Sequence, residues 1–535
     1  MQDWRDALGE SAARSDEAAI APFARTLFRS APRPAGVVRV NSRDEVVAAV
    51  EVANRRRVPL YPVSRGRNWG FGDASPMREE QVILDMSGMD RVISVDPDLA
   101  YAVVEPGVSQ AKLAACLRET APRLWMPCTA STPDASVLAN AVERGWGHTP
   151  YGDHFAHVAG MEVVLGDGSV IGTGFGQSAP SSTTYLSKGG PGPSLEGLFS
   201  QSNMGIVTRV GVWLMPEPEH FRAFFFTLNE GGSLEEVIER LRPLRLTGVL
   251  QNPVHVYNDV RAASFVESPS PVEQAAGALG PDARRKLRER HAVGPWNATG
   301  AFYGSRAVVW ANSRTLKREL SGLGSLRFVT PQLLARVERV ARPLARLGIG
   351  AARTVAEQIS RAQAPLDYLR GIPNDYAMAG CRWRVRELTD PGALDPFANS
   401  CGIYWVVPTC PARGSDAQRL VDIVESVCHR HGLDALISIT LLNGRMLILP
   451  VHIAFDRDDA DEAARAEACH HELLDAVIAA GYPPWRVGNA GMPALAHTGS
   501  WEAVARIKKA LDPRGVLAPG RYGTEPPAEP DAAVN

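Results

Sequence analysis

Pro62-Val63-Ser64-Arg65-Gly66-Arg67-Asn68-Trp69-Gly70-Phe71-Gly72 is the stretch on which the reading of the fold turns. Gly66, Gly70 and Gly72 fall within seven residues. Together they permit positive φ angles and a close approach of backbone to a ligand. Successive exposed N–H groups in such a turn form an anion-binding concavity. Ser64, Arg65 and Arg67 add donors suited to a pyrophosphate. The plainer alternative is a tight surface turn with solvated arginines. The stretch follows a helix ending near Arg57 and a short strand.

Outward from this loop, from Val37 to about His220, short β-branched runs are separated by Gly and Pro, as in 36–40, 82–86 and 101–107. Between them Ser42, Asp44 and Glu45 open a helical pattern. Ser109 is placed to cap another helix running to Glu119. The first 30 residues read as amphipathic and helical. Alternating strands and helices predict an α+β or α/β domain. Met161–Leu165, Gly166-Asp167-Gly168 and Ser169–Ile171 predict a β-hairpin. Gly172-Thr173-Gly174-Phe175-Gly176 follows at once, but its spacing is wrong for a dinucleotide fingerprint and a polar loop comes next, so a Rossmann site is rejected.

From about Phe221 to Trp485, Arg-laced helical patterns (Ala283–His291, Gln332–Leu347) alternate with strand-like runs (Ile403–Val407, Arg445–Leu449). This predicts a second α+β domain. A helix near Trp501–Leu511 precedes Asp512-Pro513 to Gly523, and 524–535, rich in Pro, Glu and Ala, read as a disordered tail. With 535 residues, more than one domain is the natural expectation.

Lys plus Arg total 57 against 59 for Asp plus Glu, a net charge of −2, so nucleic acid is not an expected partner. No run nears the ~20 apolar residues that span a bilayer. Met1–Asp6 carries both charge signs, and no signal peptide is expected. The seven cysteines lack a CxxC and read as reduced thiols of a cytoplasmic protein. His148, Asp153 and His154 share a Gly-rich loop, yet without compact metal-ligand spacing; lining a cofactor is the better reading, with loop histidines of no special role as its alternative. Cys428–His431 and Cys469–His471 place their histidines on different helix faces, so no metal is expected. A small-residue turn, Phe199–Met204, leads into the strand beginning Gly205-Ile206-Val207 and suits a flat ring held against backbone.

These clusters, in order and wording, resemble the FAD domain of the vanillyl-alcohol oxidase and p-cresol methylhydroxylase family: 62–70, then Asn140–Gly145 with Thr149–His154, then Gly197–Thr208 with Trp213–Pro216, and finally Asp512-Pro513 to Gly520. In the cap, Arg242–Leu246, Leu250–Asn252 and Gly371–Pro373 also look related. The resemblance implies the α+β, two-subdomain FAD-binding fold of that family over residues 1–218, completed by 491–523, an α+β cap over 219–490, and a homodimer. It implies FAD held by Ser64, Arg65, Gly66, Arg67, Asn68, Trp69, Glu143, Thr149, Tyr151, Gly152, Gly205, Ile206, Val207 and Arg521. The typical substrate is a para-substituted phenol, bound as phenolate, which loses a benzylic hydride to the flavin. The electrons then pass to oxygen or another acceptor.

The chain departs from the family pattern in three places. Two tyrosines and an arginine commonly clamp the phenolate; here the positions read Phe71, Trp485 and Arg486. Arg486 alone could anchor a phenolate or a carboxylate. The oxidases' acid near the flavin is matched only by an offset Asp134, which reads equally as a base or as a helix cap. Where members attach FAD covalently, Cys401–Pro408 has no histidine, and Tyr404 is the candidate, with a core position as its alternative. An isomerase, cyclase or dehydratase without net oxidation, and a protein that has lost its flavin, are the competing readings.

Overall fold

The computed structural model describes residues 1–178, 181–269, 277–347, 350–495 and 499–523. The expected tail, 524–535, lies outside them. Near the N-terminus, Gly36–Arg39, Val82–Asp85 and Leu60–Val63 form a parallel sheet, with Ala13–Arg14 added antiparallel at its edge. The helix Arg43–Arg56 covers this sheet, its first turn held by Ser42 Oγ accepting from Glu45 N and by the Glu45 carboxylate accepting from Asn41 N. The expected N-terminal helix is broken. Only Gln2–Leu8, Glu17–Ile20 and the 3₁₀ turn Ala21–Phe23 are helical. Gly9 turns the chain at φ +99°, and Ala13–Arg14 satisfies its backbone against the sheet instead.

A second sheet is antiparallel, in the order Val92–Asp96, Tyr101–Val104, Gly205–Trp213, Val158–Leu165, Val170–Gly172. The expected hairpin is here, with Val163 opposite Ile171. Gly172 is followed by a 3₁₀ turn, Gly174–Gln177, rather than the helix a dinucleotide fold needs. Ser109 caps the helix Gln110–Thr120, accepting from Lys112 N at 3.1 Å.

Besides a two-stranded pairing of Leu124–Trp125 with Met215–Pro216, the largest sheet has nine strands, all paired antiparallel. Helices Leu234–Leu246, Gly414–Arg430 and Ala460–Ala479 cover one face, which holds the largest core cluster. The other face looks toward the first two sheets. Cys401–Pro411 divides its residues between the faces by strand alternation. Tyr404, Val406 and Cys410 enter the helix-covered core, whereas Ile403 and Trp405 face the opposite way. The C-terminal segment returns to the first sheet: Leu60 N donates to Val516 O, and Ala518 N to Leu60 O.

Candidate active site

Where the nine-stranded sheet faces the four- and five-stranded sheets, a cleft of about 2010 Å³ of empty space, its open mouth included, runs from the Gly-rich loop to the nine-stranded sheet. Among the described residues, the N–H groups of Arg65, Gly66, Arg67, Asn68 and Trp69 donate to no protein acceptor. All five residues line the cleft. A run of free donors on one loop is a nest for an anion. Arg65 and Arg67 close around a carboxylate already: Asp134 pairs with Arg65 Nη2 and, at 2.8 Å, with Arg67 Nε. An oxyanion between these guanidiniums shows that they converge as a pyrophosphate would require. The chemistry of the loop therefore fits the phosphate end of FAD. Gly205, Ile206 and Val207 face the same cleft at the start of their strand.

Asp134 is not a cleft-wall residue, and its carboxylate is spent on the two arginines. Replacing it by Asn should release those arginines. FAD affinity is then expected to hold or tighten by up to ~10-fold, as a charge-assisted competitor is removed. Substrate-driven flavin reduction should stay within ~10-fold. Loss of a general base would cost ~10²–10⁴-fold. Flavin-fluorescence titration and stopped-flow absorbance separate the two.

At the floor, Glu143 ends the short helix Val137–Val142 and gathers three segments. It accepts from Arg521 at 2.5 Å and from Tyr522 Oη at 2.5 Å, and Arg486 lies 4.0 Å away. Burial alone would raise its pKa; Arg521 and Arg486 outweigh burial and hold it below the usual carboxylate range. Arg521 also donates to Tyr61 Oη at 2.6 Å. Arg486 donates to Asn68 Oδ1 and lies 4.3 Å over the Phe71 ring. Trp485 does not line the cleft; its indole N–H donates to Arg144 O at 2.8 Å, so it supplies no clamp donor.

Toward the nine-stranded sheet the walls become aromatic. Phe71 stacks on Trp405 at 6.2 Å, and Trp405 has a second guanidinium, Arg261, 5.8 Å from its ring. Trp69 Nε1 is buried without a partner beside this wall. His255, Tyr257 and Ser438, on strands of that sheet, complete this side. Burial keeps His255 neutral, with its pKa lowered to about 4. Its Nε2–H donates to Gly147 O at 3.3 Å, and its Nδ1 accepts from Thr440 at 3.1 Å.

Several expected site residues lie elsewhere. Tyr404 packs into the core between Phe28 (4.8 Å) and Phe455 (5.4 Å), and its hydroxyl accepts from Arg29 N. Alternation along Cys401–Pro411 turns it away from the cleft, so it is not placed to bond a flavin. Thr149 is buried outside the cleft wall, Tyr151 stacks on His157 at 4.3 Å, and Gly152 abuts Pro253. Of that loop, His148 reaches the cleft, stacked 3.9 Å from His255. Trp405 and Arg261 were not anticipated. Trp405 was readable as the opposite-face neighbour of Tyr404. Arg261 carried no signal beyond a lone cation in an apolar run, Val260-Arg261-Ala262-Ala263.

Asp73, also unanticipated, lines the cleft, accepts from Leu27 N at 2.8 Å and has its pKa raised by burial to about 7. An acid whose folded pKa lies above its unfolded value is protonated in the fold and ionised on unfolding between those values. Its contribution to stability is therefore lost as pH rises from about 4 to about 7. Asp73→Asn keeps an acceptor for Leu27 N–H. It should raise stability at pH 8 by about 1–4 kcal/mol and change it little at pH 4, measured by melting midpoints.

Comparison with known proteins agrees with this geometry. A family model described as an FAD binding domain matches residues 34–174, and one for the C-terminal domain of FAD linked oxidases matches 372–522. The chain is 34% identical to 1'-carboxy-chondrochloren decarboxylase of Chondromyces crocatus, covering 98% of each. It is 29% identical to the flavoprotein subunit of 4-cresol dehydrogenase [hydroxylating] of Pseudomonas putida, covering 98% of this chain and 95% of that one. The solved structures of p-cresol methylhydroxylase with substrate bound and of 4-ethylphenol oxidase from Gulosibacter chungangensis in its isoeugenol complex superpose with TM-scores of 0.85 and 0.87. Their identities are 29% and 28%, each over 98% of this chain and 96% of the other. Among the described residues no helix is long and apolar enough to cross a membrane.

Proposed function

The chain belongs to the vanillyl-alcohol oxidase and p-cresol methylhydroxylase family of FAD-linked oxidoreductases, and from that premise we propose that it oxidises a small, phenol-like aromatic substrate by two electrons. It is an FAD-dependent enzyme; bound FAD supplies the two-electron acceptor. The observation that carries the substrate reading is the wall formed by Phe71 and Trp405, with Arg486 above the Phe71 ring. A flat ring fits against that wall, and the guanidinium meets the oxyanion that forms as the phenol loses its proton. The aromatic walls exclude water from the carbon that gives up hydride.

On this reading residues 1–218 with 491–523 hold the flavin and 219–490 form the substrate cap. The working unit is a cytoplasmic homodimer that hands its electrons to oxygen or another acceptor. The test is anaerobic mixing of the FAD-loaded enzyme with 4-ethylphenol and with 4-hydroxybenzyl alcohol. Bleaching of the flavin band near 450 nm supports the reading, and no bleaching by any para-substituted phenol overturns it.

A second reading is oxidation coupled to loss of carbon dioxide, favoured by the decarboxylase name of the relative from Chondromyces crocatus. There the bond to the carboxylate breaks, carbon dioxide leaves, and its electron pair forms a C=C bond as hydride departs from the neighbouring carbon. Carbon dioxide released in step with flavin reduction distinguishes this from simple oxidation.

A further inference from the structure

Arg261 is 7% exposed and lines the cap end of the cleft. It stands on the short helix Asp259–Ser264, which Asn258 caps by accepting from Arg261 N at 2.9 Å. Its Nη1 is occupied, donating to His452 Nδ1 at 3.2 Å and to Ser264 Oγ at 3.5 Å. Its Nε is buried with no partner, and no hydrogen bond engages its Nη2 among the described residues. No described carboxylate pairs with it. By contrast Arg486 has Glu143 at 4.0 Å, and Arg284 and Arg384 are each matched to buried acids.

A buried guanidinium without a counter-ion is costly, and the remedy is an anion. The fold also makes room for this side chain. A Cβ on Gly380 would lie 2.5 Å from Arg261 Nη1 and 3.0 Å from Ser264 Oγ. Phe265, 4.4 Å from the guanidinium carbon, and Trp405, at 5.8 Å, hold its plane. The free edge, Nε–H with Nη2–H, is the fork that binds a carboxylate through two parallel hydrogen bonds.

We propose that the Nε–Nη2 edge of Arg261 is the binding site for a carboxylate on the substrate, at the end of the aromatic wall opposite Arg486. This rests on the reading of the cleft as a substrate chamber and narrows it to aromatic acids. The cation at each end sets the orientation. The phenolic oxygen goes to Arg486, the side-chain carboxylate to Arg261, and the ring lies on Phe71 and Trp405 between them.

The same guanidinium could instead face an anionic edge of the flavin, and the experiment separates the two. FAD-loaded enzyme is titrated with 4-hydroxycinnamate and with its amide, followed by perturbation of the flavin band. The wild type should bind the acid at least ~10-fold more tightly than the amide, the scale of a charge-assisted bidentate contact. Arg261→Met should abolish that preference while keeping flavin content, flavin spectrum and amide affinity. Arg261→Lys, which keeps the charge without the fork, should fall between.

Equal wild-type affinity for acid and amide would overturn the proposal without any variant. So would an Arg261→Met enzyme that keeps the preference, or one that loses flavin or shifts its spectrum instead. A wild-type protein that takes up no FAD would overturn the flavin reading as well as this one. A flavin-loaded protein indifferent to the carboxylate overturns this one alone.

Discussion

Glu143→Ala is expected to destabilise the protein by about 3–5 kcal/mol, the usual cost of removing one partner from a buried ion cluster. The carboxylate neutralises Arg521, binds the Tyr522 hydroxyl and balances Arg486. Without it, two guanidiniums remain buried with one counter-charge fewer. The three segments they come from, the Val137–Val142 helix end, the strand Pro484–Arg486 and the C-terminal turn, lose their common anchor. A lowered melting midpoint and loss of bound FAD should appear together.

Glu143→Gln, which keeps an acceptor for Tyr522, should give a smaller loss with a distinctive pH dependence. A carboxylate whose folded pKa is depressed contributes stability above its ordinary value of about 4.5, and that contribution fades as pH falls through the folded value. The gap between wild type and Glu143→Gln should therefore be full at pH 7 and shrink toward pH 3. A gap that does not change with pH would mean that packing, not charge, holds the junction.

Gly70→Ala is expected to reduce substrate-driven flavin reduction by ~100-fold or more, the sensitivity of positioned reactions to displacements of about 1 Å. Gly70 sits at φ +74°, and a Cβ there would lie 2.5 Å from Trp405 Cδ1 and 2.6 Å from Ile403 Cγ2. Trp405 is held in place, because it stacks on His452 at 4.6 Å and its indole N–H donates to Trp69 O at 3.2 Å, and Ile403 is fully buried. The methyl group must push the aromatic wall away from the loop. Strain in the left-handed region adds about 1–2 kcal/mol.

The control is Gly231→Ala, at φ +73° with nothing within 4 Å of the added carbon. It carries the backbone penalty without the clash, so stability should fall slightly and flavin reduction should not change. If both variants lose activity alike, the effect belongs to folding rather than to the wall.

Local chemistry carried much of this protein in its sequence. The glycines and donors of 62–72 announce an anion nest because positive φ and free N–H groups are properties of a few consecutive residues. Ser42 and Ser109 mark helix starts for the same reason: a cap hydrogen bond spans three residues and needs no partner elsewhere. The hairpin at 161–171 and the rejection of a Rossmann turn at Gly172 rest on spacing that is equally local.

What only the tertiary structure decided is which side of each element faces the cleft, and what each charge meets there. Strand periodicity separates Tyr404 from Ile403 and Trp405 but does not say which face is core; the helices Leu234–Leu246, Gly414–Arg430 and Ala460–Ala479, packed from before and after it in the chain, decide that. Asp134 reads in the sequence equally as a base or as a helix cap, and only the fold brings Arg65 and Arg67, nearly 70 residues away, onto its carboxylate. Glu143, Arg486 and Arg521 form one cluster from three distant segments, and Arg261 stands out only because no acid was brought to it. Coulombic pairing and desolvation depend on distance in space, and a single sequence records only distance along the chain.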